Sequence, residues 1–367
     1  MPPSTTTWQL KDHTLGKHKV LRNYMEAWLP KMLQYRRKVL FIDGFAGPGE
    51  YARGEDGSPV IALDAYTNHS AFNRMRGQIN FVFIEMESDR AEHLRGVIAP
   101  YLEKLSDDAI CISNSPFVEK MNEILEHYEN PLRDFPPAFV MIDPFGVKDA
   151  PMQVIRRILA YPSTEVYVSL MYDYINRFRK HPDFENSLDD LFGCPHWREG
   201  LEIAEGVSRR KFYYNLYERC LREAGANYVL SFDLYENERL IYTIFFATQR
   251  LEGCDVMKEA MWKTAPFGDY KFKSRTVNQL TLGIEPNDFE PLSKALLDRY
   301  DHQDWVTIDE VEKYVMSDKT DYHTGHLKRQ TLLPLENANI LRADSDAPRR
   351  KGDYPPGTRL LFQKPWF

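Results

Sequence analysis

From Lys38 onward, short apolar runs alternate with stretches whose apolar residues recur three and four positions apart. Such alternation predicts parallel strands joined by helical crossovers, since a short apolar run suits a buried strand and a helical period suits a helix lying on the sheet. VLFIDGFA is the first strand. A helix over 58 to about 69 follows, with Pro59 in its first turn, and INFVFIE (79–85) is the second strand. SDRAEHLRGVIAPYLEKL reads as a helix capped by Ser88, AICISNS as a third strand ending near Ser115, FVEKMNEILEHY as a helix and FVMID as the fourth strand. PMQVIRRILA, with Pro151 at its start, is the next helix, and EVYVSLMY (165–172) is the fifth strand. NYVLSFDLYE and RLIYTIFFATQ are separated only by Asn237 and Glu238, which makes them a hairpin.

Five crossover strands closed by an antiparallel pair give an α/β fold, a Rossmann-like class I methyltransferase sheet with an antiparallel C-terminal hairpin. A dinucleotide dehydrogenase more often ends in parallel strands. Before the sheet, 16–37 reads as a long helix with Val20, Leu21, Tyr24, Trp28 and Leu29 near one side, and Pro30 is expected to kink it or end its first half. Beyond Trp262, a polar linker leads to DWVTIDEVEKYV, YHTGHLKRQTLLPLENANIL and RADSDAPRRKGDYPPGTRLLFQ, the helix, turn, helix and basic hairpin of a winged helix. The expected plan is a helical segment 1–37, a sheet domain 38–265 with a helical insertion 173–223, a linker 266–302 and a small C-terminal winged-helix domain 303–367.

Composition narrows the function. At 367 residues with 43% hydrophobic content the chain can bury a large core, and its start lacks the apolar stretch of a secretory signal, so a soluble cytoplasmic protein is expected. Cys111, Cys194, Cys220 and Cys254 stand far apart in sequence with no CxxC pairing, which argues for reduced, buried thiols and no metal site. His181, Cys194 and His196 lack a fourth ligand at useful spacing and read as packing. A net charge of -7 lowers a nucleic-acid reading while leaving room for local basic patches.

The chemistry gathers at strand ends. Asp43, Gly44, Phe45, Ala46, Gly47 and Gly49 form a glycine-rich turn after the first strand, where ligands of parallel sheets settle and where backbone approaches a ligand that a Cβ would repel. Glu85 ends the second strand, placed to accept from ribose hydroxyls. Asn114 and Ser115 end the third, where an adenine ring would lie. Asp143, Pro144 and Phe145 end the fourth, an arrangement that resembles nucleic-acid amino-methyltransferases, with an acid for the target amine, a rigid proline and an aromatic ring for the base. The usual order there is Asp-Pro-Pro-aromatic, and here Phe145 stands where the second proline would be. His13, Lys17 and His18 open the first helix and are candidates to close over a cofactor or phosphate, and Asp173 and Asn176 to line the substrate side. In the last segment, Lys328, Arg329, Arg349, Arg350 and Lys351 suit phosphate contacts, and the acids among them suit a protein-docking surface almost equally.

LKDHTLGKHKVLRNYMEAW, FIDGFAGPGEY with GSPVIAL after it, and MIDPFG together resemble the three-Cys-motif partner protein family, TcmP, most strongly over 10–146. The resemblance implies a methyltransferase-like fold and a separate partner protein with a three-cysteine motif of radical-SAM type, a motif this chain lacks. The leading expectation is therefore an S-adenosylmethionine-binding, methyltransferase-like protein acting on or beside nucleic acid, with no metal. Two others stand beside it: a non-catalytic scaffold or adaptor for the three-cysteine partner, and a winged-helix DNA-binding regulator. The leading expectation requires a cavity beside the glycine-rich turn.

Overall fold

The computed structural model describes residues 5–106, 108–129, 134–236, 239–265, 271–272, 288–301, 303–346 and 348–363. The chain divides into two compact units, Met1–Arg250 and Leu251–Phe367. In the first, α1 (Asp12–Tyr35) precedes β1 (Lys38–Asp43), α2 (Ser58–Thr67), β2 (Gln78–Ile84), α3 (Ser88–Leu102), β3 (Ile110–Ser113), α4 (Phe117–Tyr128), β4 (Ala138–Ile142), α5 (Met152–Leu159) and β5 (Thr164–Leu170). The insertion supplies α6 (Tyr172–Phe178), α7 (Glu185–Phe192) and α8 (Gly206–Glu223), and β6 (Tyr228–Glu236) and β7 (Arg239–Thr248) close the unit.

The sheet runs β3-β2-β1-β4-β5-β7-β6. The first five strands are parallel, and β7 is antiparallel to both β5 and β6. This is the Rossmann-like methyltransferase sheet. Strands β4 and β5 are buried along their whole length, and β4 is accordingly a continuous apolar run rather than an alternating one. Because β2 and β3 lie on one side of β1 and β4 and β5 on the other, the carboxyl ends of β1 and β4 form the switch point where parallel sheets take their ligands.

Helix α1 lays Val20, Leu21, Tyr24, Trp28, Leu29 and Leu33 into the core, and the Tyr24 ring sits 5.1 Å from Phe139 and 5.5 Å from Phe246. The helix does not end at Pro30 but continues through it to Tyr35. Proline cannot donate to the carbonyl of Glu26, and His69 Nε2 donates to it instead at 3.0 Å. The ring is set for this because its Nδ1 accepts the Ala71 N–H at 2.9 Å. The expected Ser88 cap is also corrected: Ser88 is the first helical residue of α3, and Glu87 precedes it with no side-chain cap. In the insertion, Tyr213, Tyr214, Leu216, Tyr217, Cys220 and Leu221 form the buried side of α8.

The second unit starts with α9 (Leu251–Thr264), so this helix counts there rather than with the sheet. Helices α10 (Glu290–Tyr300) and α11 (Ile308–Met316) follow, together with a small sheet in which Arg359–Phe362 pairs antiparallel with both Leu341–Asp344 and Val306–Thr307. Leu292, Leu296, Val311, Val315, Leu327 and Leu360 share its core. The stretch expected as a second continuous helix is instead a tight turn at Thr324–His326, a wide turn at Lys328–Leu332 and a short α12 (Leu333–Asn337). The Thr331 hydroxyl donates to the carbonyl of His326 at 2.8 Å, and Pro334 has no N–H to continue a regular ladder. Lys258 of α9 is buried with its ammonium donating to the carbonyls of Val315, Ser317, Thr320 and Tyr322, which joins α9 to the end of α11. Most of the expected linker lies outside the described residues. Among those described, no helix is long and apolar enough to cross a membrane.

One core group makes stability depend on pH. Glu165 of β5 is buried and accepts from the Tyr24 hydroxyl, and burial pushes its carboxyl up to about 7 against an ordinary 4.5. Between those values the folded chain holds a proton that the unfolded chain has lost, so this group's contribution to stability falls as pH rises through that window. Glu165→Gln removes the titration. Urea midpoints should show the variant gaining about 1–3 kcal/mol relative to wild type between about pH 5 and pH 8. Parallel pH profiles would contradict this.

Candidate active site at the carboxyl ends of β1, β2 and β4

The turn after β1 is built by backbone donors and buried acids. Asp43 is fully buried, and its carboxylate accepts from the Ser58 hydroxyl at 2.6 Å and the Phe45 N–H at 3.1 Å. The Gly44 N–H donates to Met141 O at 2.9 Å, tying the end of β1 to β4, and the Ala46 N–H donates to Ile84 O at 2.9 Å, tying the turn to β2. Glu85, 6% exposed, accepts the Gly47 N–H at 2.9 Å on one carboxylate oxygen and the Glu87 N–H at 2.8 Å on the other. The sheet's edge therefore dictates the loop's path.

Gly47 and Gly49 take φ values of 65° and 87°, a left-handed backbone that other residues adopt only with strain. Their free space is used differently. A Cβ on Gly44 would lie 2.5 Å from the Phe117 ring and one on Gly49 2.7 Å from Leu94, so these two glycines make room for the protein's own side chains. At Gly47 the nearest side-chain atom would be 3.6 Å away, on the indole of Trp8.

Trp8 corrects the expectation of open space beside the turn. The segment before α1 crosses the turn, fastened by the Ala52 N–H to Trp8 O at 2.9 Å and the Thr6 hydroxyl to Asp89 at 2.7 Å. The Trp8 ring meets Tyr51 and Phe145 edge-on, with centroids 5.9 and 5.6 Å away, and the Arg90 guanidinium stands 5.1 Å from it. A cavity of about 680 Å³ lies outside the strap, lined by Thr6, Glu50, Asp89, Glu92, His93, Gly96 and Val97, and includes none of the strand-end acids.

Asp143 meets a partner the sequence did not pair it with. Lys17 of α1, 4% exposed, donates its ammonium to Asp143 Oδ2. Burial alone would depress the lysine, but the Asp143 charge, with Tyr242 and Tyr51 beside it, outweighs burial and holds it well above its ordinary value. The ammonium also lies 4.5 Å from the Tyr242 ring. Next to it, His18 is pushed down to about 3 by burial and then by the Lys17 charge, so its ring is neutral, 3.5 Å from the Tyr51 hydroxyl. Burial also raises Asp43 to about 6, although the Ser58 and Phe45 bonds pull the other way. Glu85 is raised too, again by burial, with the Glu87 N–H, Arg90 and the Gly47 N–H opposing.

The remaining expected residues fall in three groups. Asn114 donates to the carbonyls of Glu85 at 3.0 Å and Met86 at 2.8 Å, and Ser115 shares a bond with Ser113 at 2.9 Å, so both brace the end of β2 and β3. Pro144 is buried, while Phe145 is 40% exposed at the mouth of the crevice against Trp8. Asn176 accepts from the Tyr172 hydroxyl at 3.3 Å. In the second unit, Arg349 turns inward onto Glu336 and the Tyr354 ring, 5.1 Å away, and Lys328 pairs with Glu312 at 3.0 Å. Arg329, Arg350 and Lys351 are exposed. Among the described residues, no three His, Cys, Asp or Glu side chains gather as metal ligands. The reading from sequence missed Trp8, Arg90 and Tyr242, which no motif marks, and gave no role to Tyr51, which closes the FIDGFAGPGEY run. It named Lys17 without its partner, although Lys17 lies three, four and seven residues before Val20, Leu21 and Tyr24, on the buried stripe.

No protein-family description and no curated protein matches the chain. Among solved structures it is similar to an O-methyltransferase from Bacillus cereus in complex with SAH, at 12% identity and TM-score 0.36, covering 67% of this chain and 84% of that one. It is similar also to the DszA carbon methyltransferase, at 10% identity and TM-score 0.40, covering 66% of this chain and 56% of that one. A SAM-dependent methyltransferase from Agrobacterium tumefaciens is similar at 10% identity and TM-score 0.36, covering 66% of this chain and 63% of that one.

The buried ion pair has a measurable signature. Asp143→Asn leaves the Lys17 charge buried without its counter-charge and should cost about 3 kcal/mol in urea unfolding. Adding Lys17→Met to that variant should recover part of the loss, a coupling of about 1–3 kcal/mol across the double-mutant cycle. Additive losses would show that the two side chains act independently.

Proposed function

We propose that the first unit binds S-adenosylmethionine in the crevice between β1 and β4 and directs its methyl group to an exocyclic amine. One observation carries this reading: a left-handed glycine turn fastened to a carboxylate at the end of β2, beside a second carboxylate at the end of β4. The turn from Gly44 to Gly49 would hold the methionine portion. Gly47 suits this best, since it alone of the three glycines that end the first strand's motif leaves van der Waals room above it. Glu85 accepts one N–H on each oxygen and retains lone pairs for ribose hydroxyls. Asn114 and Ser115 stand at the adenine end.

When bound, the cofactor supplies an electrophilic methyl group on a sulfonium. The chain's own part is positioning. Lys17 holds one oxygen of Asp143, leaving the other oxygen to accept from the acceptor's N–H and so aim its lone pair. Phe145, at the mouth, offers a ring face to the acceptor once Trp8 moves. Binding of cofactor therefore requires the strap to leave Gly47.

The family resemblance supports a three-Cys-motif radical-SAM-type partner, and the exposed Arg329, Arg350 and Lys351 support nucleic acid as the acceptor or its neighbour. A second reading, a methyltransferase fold kept as an adaptor for that partner, draws on a specific observation: the chain's own Trp8 and Lys17 already cover Gly47 and Asp143.

Calorimetry with S-adenosylhomocysteine tests the binding half. Wild type should bind, and Glu85→Ala should weaken binding by at least about tenfold. No heat at millimolar ligand would remove the proposal. Methyl incorporation into DNA or RNA, with the partner present, tests the transfer half and should vanish in Asp143→Ala while homocysteine-ligand binding persists. Binding by wild type with no incorporation would leave the adaptor reading.

A further inference from the structure

Two of the four cysteines, far apart in sequence, meet in space. Cys111 is exposed on β3, and Cys194 and Cys220 of the insertion bring their sulfurs to 3.8 Å. Their approach is built. Gly193 ends α7 in the left-handed region at φ 64°, turning the chain so that Cys194 faces α8. The turn after it is then clamped to α7, with the Trp197 indole donating to Asp189 at 2.8 Å and Arg198 bridging Asp189 and Glu185. Cys220 lies on the buried side of α8, 2% exposed, while Cys194 is partly exposed.

We propose that Cys194 and Cys220 form a reversible thiol–disulfide pair that a two-electron oxidant such as hydrogen peroxide closes. A disulfide bond is about 2.05 Å long, so the sulfurs need approach by less than 2 Å, within reach of side-chain rotation. In the first step the Cys194 thiolate attacks one peroxide oxygen, the O–O bond breaks and hydroxide leaves, giving a sulfenic acid. Next the Cys220 sulfur attacks the sulfenic sulfur, the S–O bond breaks, and the departing hydroxide takes the Cys220 proton as water. Peroxide is reduced to two waters and two thiols are oxidised to one disulfide. Cys194 is the first to react because it is reachable, whereas burial and then the neighbouring Cys194 push Cys220 up to about 12.

The bond would join α8 to the turn Pro195–Leu201. The start of α8 is already tied to the start of α6, which follows β5, since the Tyr172 hydroxyl donates to Gly206 O at 3.2 Å and accepts from Arg209 Nε at 3.2 Å. Oxidation thus stiffens the insertion at the end of the sheet where Asp143 stands, and this holds whatever reaction the first unit performs.

The experiment uses the full chain carrying Cys111→Ser, so that the exposed thiol does not react. Under native conditions, peroxide should lower the intact mass by about 2 Da, remove two titratable thiols and yield a single linked peptide containing Cys194 and Cys220, all reversed by dithiothreitol. The melting temperature should rise by about 5 °C. With Cys220→Ser added, Cys194 should instead be trapped by dimedone as a sulfenic acid, and with Cys194→Ser added, peroxide should leave the mass unchanged. Oxygen addition at Cys194 with no linked peptide, or no loss of thiols, would overturn the proposal.

Discussion

Three carboxylates converge at the carboxyl end of this sheet, and the site is organised by how each is kept in a poorly solvated place. Asp43 is held by a hydroxyl from α2 and an N–H of its own turn, Glu85 by two N–H groups, and Asp143 by the Lys17 ammonium. Burying a carboxylate is costly unless donors replace water. Each donor set therefore fixes a piece of chain: α2 against β1, the glycine turn against β2, and α1 against β4. The ammonium that holds Asp143 comes from α1, which makes that helix part of the site as well as part of the core.

The segment ahead of the sheet thus has two tasks. Its apolar stripe covers the sheet through Val20, Tyr24 and Trp28, and its first turns deliver Lys17 and His18 to the crevice. The strap before it lays Trp8 over Gly47. The strap is fastened by the hydrogen bonds of Trp8 O and the Thr6 hydroxyl and by the contacts of the Trp8 ring with Tyr51 and Phe145.

Much of the fold was legible because hydrophobic period and strand spacing are local. The crossover strands read directly from runs such as VLFID and FVMID, and the short gap between the last two strands required a hairpin. Helix α1 was legible on its buried stripe, yet its passage through Pro30 was not, since the missing bond is supplied by His69 from a distant turn. The irregular turn near Thr331, where the hydroxyl donates to the carbonyl of His326, was not legible from the hydrophobic period either. Within the site, the acids and glycines lay in contiguous motifs. Lys17–Asp143, Trp8–Gly47 and Cys194–Cys220 each join residues far apart in sequence, and no pattern along the chain reports such a meeting.

A crystal structure of the protein with S-adenosylhomocysteine tests the central claim most directly. It should show the ligand's amino-acid portion on the turn from Gly44 to Gly49, ribose hydroxyls on Glu85 and the Trp8 indole withdrawn from Gly47. Trp8 still seated on Gly47, with the ligand elsewhere or lost, would contradict the account.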